Sequence, residues 1–310
     1  MPQTPIIIDC DPGVDDAIAL LLAFASPELQ ILGITTVAGN VPLALTQLNA
    51  RKMCELAKQT DIPVFAGCPR PILQALQTAE EIHGKTGLDG TTLPDPTMPL
   101  QPDHAVSFLI QTLDQATEPI TLATLGPLTN VAIALIQAPH IARNIQSIVM
   151  MGGAITLGNI TPAAEFNLYA DPHAADVVFR SGIPITLLSL DVTHQVLTTP
   201  ERLENIRAIA SPVGQAAADL LSFYGQLDCD RYGMPGAPLH DPNVIAYLLQ
   251  PKLYRGKPCH VAVETASPHS IGQTIIDVWD ATGKSPNATV IQTADAEGFY
   301  QLLTNRLRTL

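Results

Sequence analysis

Residues 5–25 read PIIIDCDPGVDDAIALLLAFA, and the architecture of the chain follows from this stretch. Its first four residues form a short apolar run, typical of a buried strand, that ends at acidic residues. The segment Asp15–Ala25 is rich in alanine and leucine, and its two leading carboxylates suit a helix N-terminus. The stretch therefore predicts a strand, a turn that carries acidic side chains, and a helix.

The same alternation of strand and helix recurs along the chain. Further strands are predicted at Ile31–Val37, Ile62–Ala66, Ile120–Leu125, Ser147–Met151 and Pro184–Leu190. Helices are predicted at Pro42–Lys58, His104–Gln115, Leu128–Ile136 and Pro172–Arg180. The strand runs are nearly continuous in valine, isoleucine and leucine, as expected of strands buried on both sides. We predict an α/β fold with an open, mainly parallel, Rossmann-like sheet and helices on both faces.

The alternation is interrupted by two long stretches, Gly67–Pro102 and Phe223–Pro242. Their glycine and proline content predicts functional loops. After the second stretch, His260–Glu264 and Thr274–Val278 predict late strands that form a small antiparallel edge, and Asp295–Leu307 predicts a closing helix.

Composition restricts the classes of function. The chain has 310 residues, of which 46% are hydrophobic and 15% charged, with a formal net charge of −13. This is enough apolar material for a core, and we expect a single domain over residues 1–310. A nucleic-acid partner is disfavoured because phosphate contacts depend on lysine and arginine. No apolar run approaches the roughly 18 residues needed to cross a bilayer, and residues 1–4 lack a basic signal start, so we predict a cytoplasmic protein without a membrane partner.

Four carboxylates lie within eight residues at the carboxyl end of the first predicted strand: Asp9, Asp11, Asp15 and Asp16. Ligands of open α/β sheets bind at this edge. Residues 1–50 contain no lysine, arginine or histidine, and a helix N-terminus supplies only about half a positive charge. A bound hard cation such as Ca²⁺ or Mg²⁺, which takes oxygen ligands, would neutralise the cluster.

Two other interpretations of this cluster remain open. In the first, Asp15 and Asp16 only favour the helix start, while Asp9 and Asp11 face solvent. In the second, the Asp-x-Asp pattern after an N-terminal strand marks a Mg²⁺-dependent phosphatase of the haloacid dehalogenase type, with Asp9 as nucleophile. Such an enzyme needs a phosphate-binding lysine at a later strand end, and none of the six lysines lies in a convincing motif.

Five further segments make the chain resemble the nucleoside N-ribohydrolase family, also called inosine-uridine preferring nucleoside hydrolases, over nearly its whole length. In order, they are Thr35-Thr36-Val37-Ala38-Gly39-Asn40, Leu125-Gly126-Pro127-Leu128-Thr129-Asn130, Met150-Met151-Gly152-Gly153, Gly158-Asn159 followed by Ala164-Glu165-Phe166-Asn167, and Leu239-His240-Asp241-Pro242. Any one segment is weak, but the ordered set is specific. The resemblance implies hydrolysis of the N-glycosidic bond of ribonucleosides to free nucleobase and ribose.

The resemblance also implies a Ca²⁺ site. Carried over residue by residue, four of its ligands are side chains and the fifth is the main-chain carbonyl of Leu125. The four side chains are those of Asp11, Asp15, Asp16 and Asp241. Asp11 also corresponds to the family's general base, which takes a proton from a metal-bound water. Binding to a cation lowers the pKa of such a water and fixes its direction.

The family's substrate contacts fall on eight residues of this chain: Asp15, Asn40, Met151, Asn159, Glu165, Phe166, Asn167 and Asp241. Departure of a base from C1′ develops oxocarbenium character, so several polar groups are needed to hold the sugar. Chelation of a vicinal diol by Ca²⁺ would explain a preference for ribose over 2′-deoxyribose. The alternative is structural: Asn40 and Asn159 each follow a glycine and suit turns, and Glu165 suits a solvated helix start.

Two histidines correspond to active-site histidines of the family and are candidates to assist the leaving base. His240 precedes a proposed metal ligand, and His83 lies in a glycine-containing loop. Histidine suits proton delivery near neutral pH, although His83 is also compatible with a flexible surface loop. Phe223, Tyr224 and Tyr232 are expected to surround the base, and the other six histidines are expected to be structural or surface residues.

A non-catalytic nucleoside- or calcium-binding protein on the same scaffold is the alternative function. Binding alone requires neither Asp11 as a base nor His240, so the retention of both favours the enzyme. We expect a ribonucleoside substrate and, as in relatives, a homo-oligomer that is either a dimer or a tetramer.

Overall fold

The computed structural model describes residues 3–310, and for 226–232 the backbone alone is considered. Within this part of the chain, the strands are β1 Thr4–Cys10, β2 Leu29–Thr36, β3 Val64–Ala66, β4 Ile120–Thr124, β5 Ile145–Met151, β6 Ile185–Leu188, β7 Leu197–Thr198, β8 Ala237–Pro238, β9 Tyr254–Val263, β10 Thr274–Asp277 and β11 Ala288–Ala294. The helices are α1 Val14–Phe24, α2 Leu43–Leu56, α3 Glu80–His83, α4 Ala105–Asp114, α5 Thr129–Gln137, α6 Phe166–Ala170, α7 Pro172–Phe179, α8 Leu190–Thr193, α9 Pro200–Arg207, α10 Pro212–Tyr232, α11 Pro242–Leu249 and α12 Ala296–Leu307.

Nine of these strands form one sheet in the order β10-β9-β11-β6-β5-β4-β1-β2-β3, while β7 and β8 pair separately. β1 lies between β2 and β4 and is parallel to both. The chain places β2 and β3 on one side of β1 and then β4, β5 and β6 on the other side, so the strand order reverses next to β1. Crevices at such a switch point bind ligands in doubly wound folds. β9 runs antiparallel to β10 and to β11. The predicted parallel sheet with an antiparallel edge is therefore confirmed.

The core lies on both faces of the sheet because the side chains of a strand alternate between faces. Ile6 and Ile8 pack with residues of α1, α10, α11 and α12, whereas Ile7 packs with residues of α4, α5 and α7. Every residue of α1 is buried. Although α1 is strongly apolar, no helix in the described part of the chain is long and apolar enough to cross a membrane.

Several elements differ from the sequence predictions, and two of the differences concern the second long stretch and the sheet. The loop predicted at Phe223–Pro242 is wrong in its first half, because α10 continues to Tyr232. Gly225 is tolerated inside this helix, while the other glycines and prolines behind that prediction follow its end. β11 was not predicted, yet it pairs with β6 and β9 and connects the parallel part of the sheet to its antiparallel edge. The stretch Gly67–Pro102 contains α3 as its only helix or strand and is otherwise the long loop that its composition predicts.

Candidate active site

Carboxylates from distant parts of the chain meet at the carboxyl end of β1. Asp15 and Asp16 lie in the first turn of α1, and Asp241 immediately precedes α11. One ligand oxygen from each of these three lies within 4.8 Å of those of the other two. Asp11 adjoins them, since its main-chain N–H donates to Oδ1 of Asp16 at 3.1 Å. All four carboxylates are buried, and among the described residues no lysine or arginine forms an ion pair with them.

Burial raises the pKa of all four carboxyl groups, and the neighbouring negative charges raise most of them further. The pKa of Asp15 rises to about 7, and those of Asp11 and Asp241 rise well above their usual range. Within the described structure, Oδ1 of Asp11 and Oδ1 of Asp15 have no hydrogen-bond partner. Buried carboxylates with unpartnered oxygens fit a hard divalent cation, which supplies the missing positive charge and accepts oxygen ligands.

Asp11 is enclosed by two glycines from different segments. A Cβ at Gly39 would lie 2.0 Å from Oδ2 of Asp11, and a Cβ at Gly126 would lie 2.3 Å from Oδ1. Both distances are shorter than any real contact of a β-carbon, so only glycine at each position admits the carboxylate. The close approach explains the glycine in each of the segments 35–40 and 125–130.

Asn40 joins the cluster directly. Its main-chain N–H donates to Oδ2 of Asp11 at 2.8 Å, and its Nδ2 donates to Oδ2 of Asp16 at 2.9 Å. The side chain is buried. Asn40 is therefore more than a turn residue, because both its backbone and its side chain hold the carboxylates.

A second polar group forms around α6. Glu165 caps this helix: Oε1 accepts the N–H of Asn167 at 2.9 Å, and Oε2 accepts that of Gly153 at 2.8 Å. The side chain is buried, which raises the pKa of Glu165 to about 7, so the interpretation of Glu165 as a solvated helix start is wrong. Nδ2 of Asn167 donates to the carbonyls of Leu125 at 2.6 Å and Met151 at 3.3 Å. These bonds connect α6 to the ends of β4 and β5.

Asn159 and Phe166 lie next to this group. Asn159 is exposed, and its Oδ1 accepts the main-chain N–H of Phe166 at 2.9 Å. The side chain of Phe166 is buried. The hydrogen bonds of Asn159 are those of a turn residue, and its contact with ribose stays a prediction.

His83 is buried against α1. Its Nδ1 accepts the main-chain N–H of Val14 at 3.1 Å and lies 3.9 Å from Oδ1 of Asp15. The interpretation of His83 as a surface-loop residue is therefore wrong. Because Nδ1 accepts a hydrogen bond, the neutral ring carries its proton on Nε2. Burial lowers the pKa of His83 to about 3, so the ring is neutral near pH 7.

His240 is buried as well, with Nδ1 at 2.7 Å from Oγ1 of Thr193. Burial lowers the pKa of His240 to about 3, so this ring is also neutral near pH 7. The ring centre of His194, which was expected to be structural or on the surface, lies 5.7 Å from that of His240. Of the aromatic residues expected around the base, Tyr224 lies 5.5 Å from the ring of His83, whereas the side chain of Tyr232 lies outside the described residues.

Asp9 does not share the position of the other carboxylates. Its Oδ1 accepts hydrogen bonds from Oγ1 of Thr35 at 2.6 Å and from Nδ2 of Asn130 at 2.8 Å. The interpretation in which Asp9 and Asp11 face solvent is wrong, since both are 1% exposed. Asp9 instead ties β1 to β2 and to α5, beneath the site.

Sequence reasoning missed two residues of α8. The carboxylate of Asp191 accepts the N–H of Ile155 and the hydroxyl of Thr156, both at 2.6 Å, and so holds the segment that leads to Asn159. Thr193 contacts His240. The available signal was the position of α8 directly after β6, because polar residues after a parallel strand lie at the ligand-binding edge of the sheet.

Comparisons with known proteins identify the family of the chain. A family model described as inosine-uridine preferring nucleoside hydrolase matches residues 6–301. The pyrimidine-specific ribonucleoside hydrolase RihA of Photobacterium profundum is 49% identical over 304 residues, which is 98% of each chain. A solved plant nucleoside hydrolase, PpNRh1, is 34% identical with a TM-score of 0.92 over 100% of each chain. A purine-preferring ribonucleoside hydrolase from Gardnerella vaginalis is 31% identical with a TM-score of 0.92, over 99% of this chain and 98% of that one. The chain therefore belongs to the inosine-uridine preferring nucleoside hydrolase family and is a hydrolase that acts on N-glycosidic bonds.

Proposed function

We propose that this protein hydrolyses ribonucleosides to nucleobase and ribose with Ca²⁺ as its metal ion. The observation that carries the proposal is the buried carboxylate cluster at the switch point of the sheet. Its proposed ligands are the main-chain carbonyl of Leu125 and the four buried side chains of Asp11, Asp15, Asp16 and Asp241. When bound, the ion supplies a water of lowered pKa beside the sugar. Ca²⁺ is favoured over Mg²⁺ because it takes six to eight oxygen ligands, whereas Mg²⁺ usually keeps several waters.

Asp11 is the proposed general base. Its Oδ2 is held by the N–H of Asn40, whereas Oδ1 has no partner among the described residues. One oxygen therefore fixes the orientation of the carboxylate, and the other is free to accept a proton from the attacking water. A carboxylate within hydrogen-bond reach of the water is the geometry that general base catalysis requires.

The polar residues around the cluster are proposed to hold the ribose. One part of the sugar site is formed by residues at the carboxylate cluster: Asn40, Asp15 and Asp241. The other part is formed by residues at α6: Glu165 and Asn167. Met151, Asn159 and Phe166 would complete the sugar site. Since Glu165 already accepts main-chain N–H groups with both oxygens, it also fixes the backbone at the end of β5.

His83 and His240 are proposed to assist the leaving base, and we expect their contributions to depend on the base. Replacing His240 by alanine should lower kcat more for inosine than for uridine, and His83→Ala should show the opposite bias. A pyrimidine must accept its hydrogen bond near O2, close to the sugar, and His83 lies 3.9 Å from the proposed ribose ligand Asp15. A purine can accept on a ring nitrogen far from the sugar. Measuring kcat for both nucleosides in both variants checks the assignment, and equal losses on the two substrates would contradict it.

A substrate panel tests the proposed function. Purified protein with Ca²⁺ is given inosine, adenosine, uridine, cytidine and a ribonucleoside 5′-monophosphate, and release of reducing sugar and of phosphate is measured. Purines and pyrimidines are both needed because the related proteins carry names of both preferences. Release of ribose from a nucleoside supports the proposal. Nucleoside binding without release would favour the non-catalytic binding protein, and release of phosphate would favour the phosphatase.

The proposal also includes a cytoplasmic location and a homo-oligomer, either a dimer or a tetramer. Both stay predictions from the sequence and its resemblance.

A further inference from the structure

Thr193 makes a short hydrogen bond to His240 whose direction can be worked out. The hydroxyl Oγ1 lies 2.7 Å from Nδ1 of His240 and 3.4 Å from the carbonyl oxygen of Leu190. Bonds of the O–H···O type lie between about 2.5 and 3.0 Å, so the second contact is too long to be a good bond. The Leu190 carbonyl already accepts the N–H of His194 at 2.9 Å, so it keeps a partner when the hydroxyl donates elsewhere. On these distances we assign the hydroxyl proton of Thr193 to the shorter contact, in which Nδ1 of His240 is the acceptor.

This direction determines the tautomer of His240. A neutral imidazole has one donor nitrogen and one acceptor nitrogen, so a ring that accepts at Nδ1 carries its proton on Nε2. No described residue forms a hydrogen bond with Nε2 of His240, which leaves that N–H available to a ligand. His83 has the same arrangement by an independent route, since its Nδ1 accepts the N–H of Val14. Both rings beside the carboxylate cluster are thus held as Nε2 donors.

We propose that Thr193 is a positioning residue that holds His240 as the Nε2–H tautomer, so that the ring donates a hydrogen bond to the departing nucleobase. The role rests on the proposed function, because it acts through His240 on the leaving group. Thr193 is itself fixed in place: it is buried, and its main-chain N–H donates to the carbonyl of Ser189 at 3.1 Å. The hydroxyl is the only part of the side chain that can donate to Nδ1. Valine, which has nearly the same shape, would leave both tautomers and other ring orientations accessible.

The central experiment compares Thr193→Val with Thr193→Ser. We expect Thr193→Val to lower kcat for inosine by about 10- to 100-fold, by analogy with the loss of a partner that orients a metal-ligating histidine, with KM changed less than about threefold. Thr193→Ser keeps the hydroxyl and should stay within about threefold of the natural protein in kcat. Thr198→Val is the matched control, because Thr198 is also buried, its hydroxyl lies 2.7 Å from that of Tyr300, and neither residue is among those proposed for the site. It should lose stability without a comparable loss of kcat.

Two further readouts separate positioning from general structural damage. With 4-nitrophenyl β-D-ribofuranoside, whose leaving group departs as a phenolate without assistance, the effect of Thr193→Val should shrink to about twofold. In a His240→Ala background, Thr193→Val should add less than about twofold, because the residue through which it acts is gone. A full additional loss in that background, or an undiminished loss on the activated riboside, would overturn the positioning role.

The tautomer can also be observed without a variant of Thr193. Nitrogen-15 spectra of the natural protein, with the His240 signals identified by their loss in His240→Ala, should show the proton on Nε2. A proton on Nδ1 would overturn the proposal even if Thr193→Val failed to fold. If the natural protein is active and Thr193→Val has an unchanged kcat, the positioning role of Thr193 is contradicted. The proposed function is then still supported. A natural protein that releases no ribose from any nucleoside would overturn both.

Discussion

Replacing Asp11 by asparagine is expected to lower kcat by about 10²- to 10⁴-fold, the range typical of a positioned acid–base group, in a protein that stays folded. The amide has the size of the carboxylate, so it still fits between Gly39 and Gly126, and its oxygen can still accept the N–H of Asn40. It cannot accept a proton from water. Steady-state kinetics on the nucleoside that the panel identifies measures the loss.

The metal content of the Asp11→Asn protein is the necessary control, because Asp11 is also a proposed ligand. Elemental analysis of the Asp11→Asn protein, equilibrated with a saturating concentration of Ca²⁺, should show that the ion is still bound. Asp171→Asn is a matched variant: Asp171 is equally buried, but its carboxylate accepts bonds from Thr129 and Ala174, away from the cluster. We expect its kcat to stay within about threefold of the natural value. Near-normal turnover of Asp11→Asn with metal retained would show that another group activates the water.

Most of the sheet could be predicted because each buried parallel strand is marked by its own apolar run. Ile6, Ile7 and Ile8 face two different cores, so no polar residue interrupts the run. In the late part of the chain, β11 lacks this signal. β11 lies between a parallel and an antiparallel neighbour, and its short run Val290-Ile291 ends at polar residues, so periodicity alone does not distinguish it from a loop.

The meeting of the ends of β1 and β4 could be predicted from topology, whereas the approach of Asp241 was implied only by the family resemblance and the burial of His83 was not predicted. Asp11 and Leu125 follow adjacent strands, so their proximity follows from the strand order. His83 lies in the polar, glycine-rich stretch 67–102, which has the composition of an exposed loop. It is buried because that loop folds back on α1 and α2, where Nδ2 of Asn49 donates to the carbonyls of Pro12 and Thr86. Such long-range contacts leave no local signal.

The hydrogen-bond partners of the individual carboxylates could not be predicted either, as Asp9 and Asp11 demonstrate. Both follow the same apolar run, and four clustered acids suggest one shared site. β1 ends at Cys10, however, so the alternation of side chains along a strand does not extend to Asp11. Asn130, from a segment more than a hundred residues away, captures the carboxylate of Asp9. Which acid joins the proposed metal site is therefore decided by a partner that is distant in sequence.

Removal of the divalent cation is expected to abolish hydrolysis and to lower the stability of the protein. Dialysis against a chelator should reduce kcat to below about 1% of its starting value, and Ca²⁺ should restore it more fully than Mg²⁺ at equal concentration. The proposed base and sugar ligands would then lack the ion that brings water and diol hydroxyls to them. Full activity in excess chelator, with no metal found by elemental analysis, would contradict the metal site.

The loss of stability has a separate physical cause, so it tests the site independently of catalysis. Without the cation, the buried carboxyl groups of Asp11, Asp15, Asp16 and Asp241 must either take up protons or repel one another, as their raised pKa values indicate. Free Ca²⁺ at 100 to 1,000 times its Kd stabilises a folded protein by about 2.7 to 4.1 kcal/mol, which corresponds to an increase in Tm of several degrees. Calorimetry with and without Ca²⁺ should show this increase in the natural protein and a much smaller one in Asp241→Asn, whereas Asp171→Asn should retain it. Equal increases in all three proteins would place the ion elsewhere, because of the two replaced residues only Asp241 contributes an oxygen to the buried cluster.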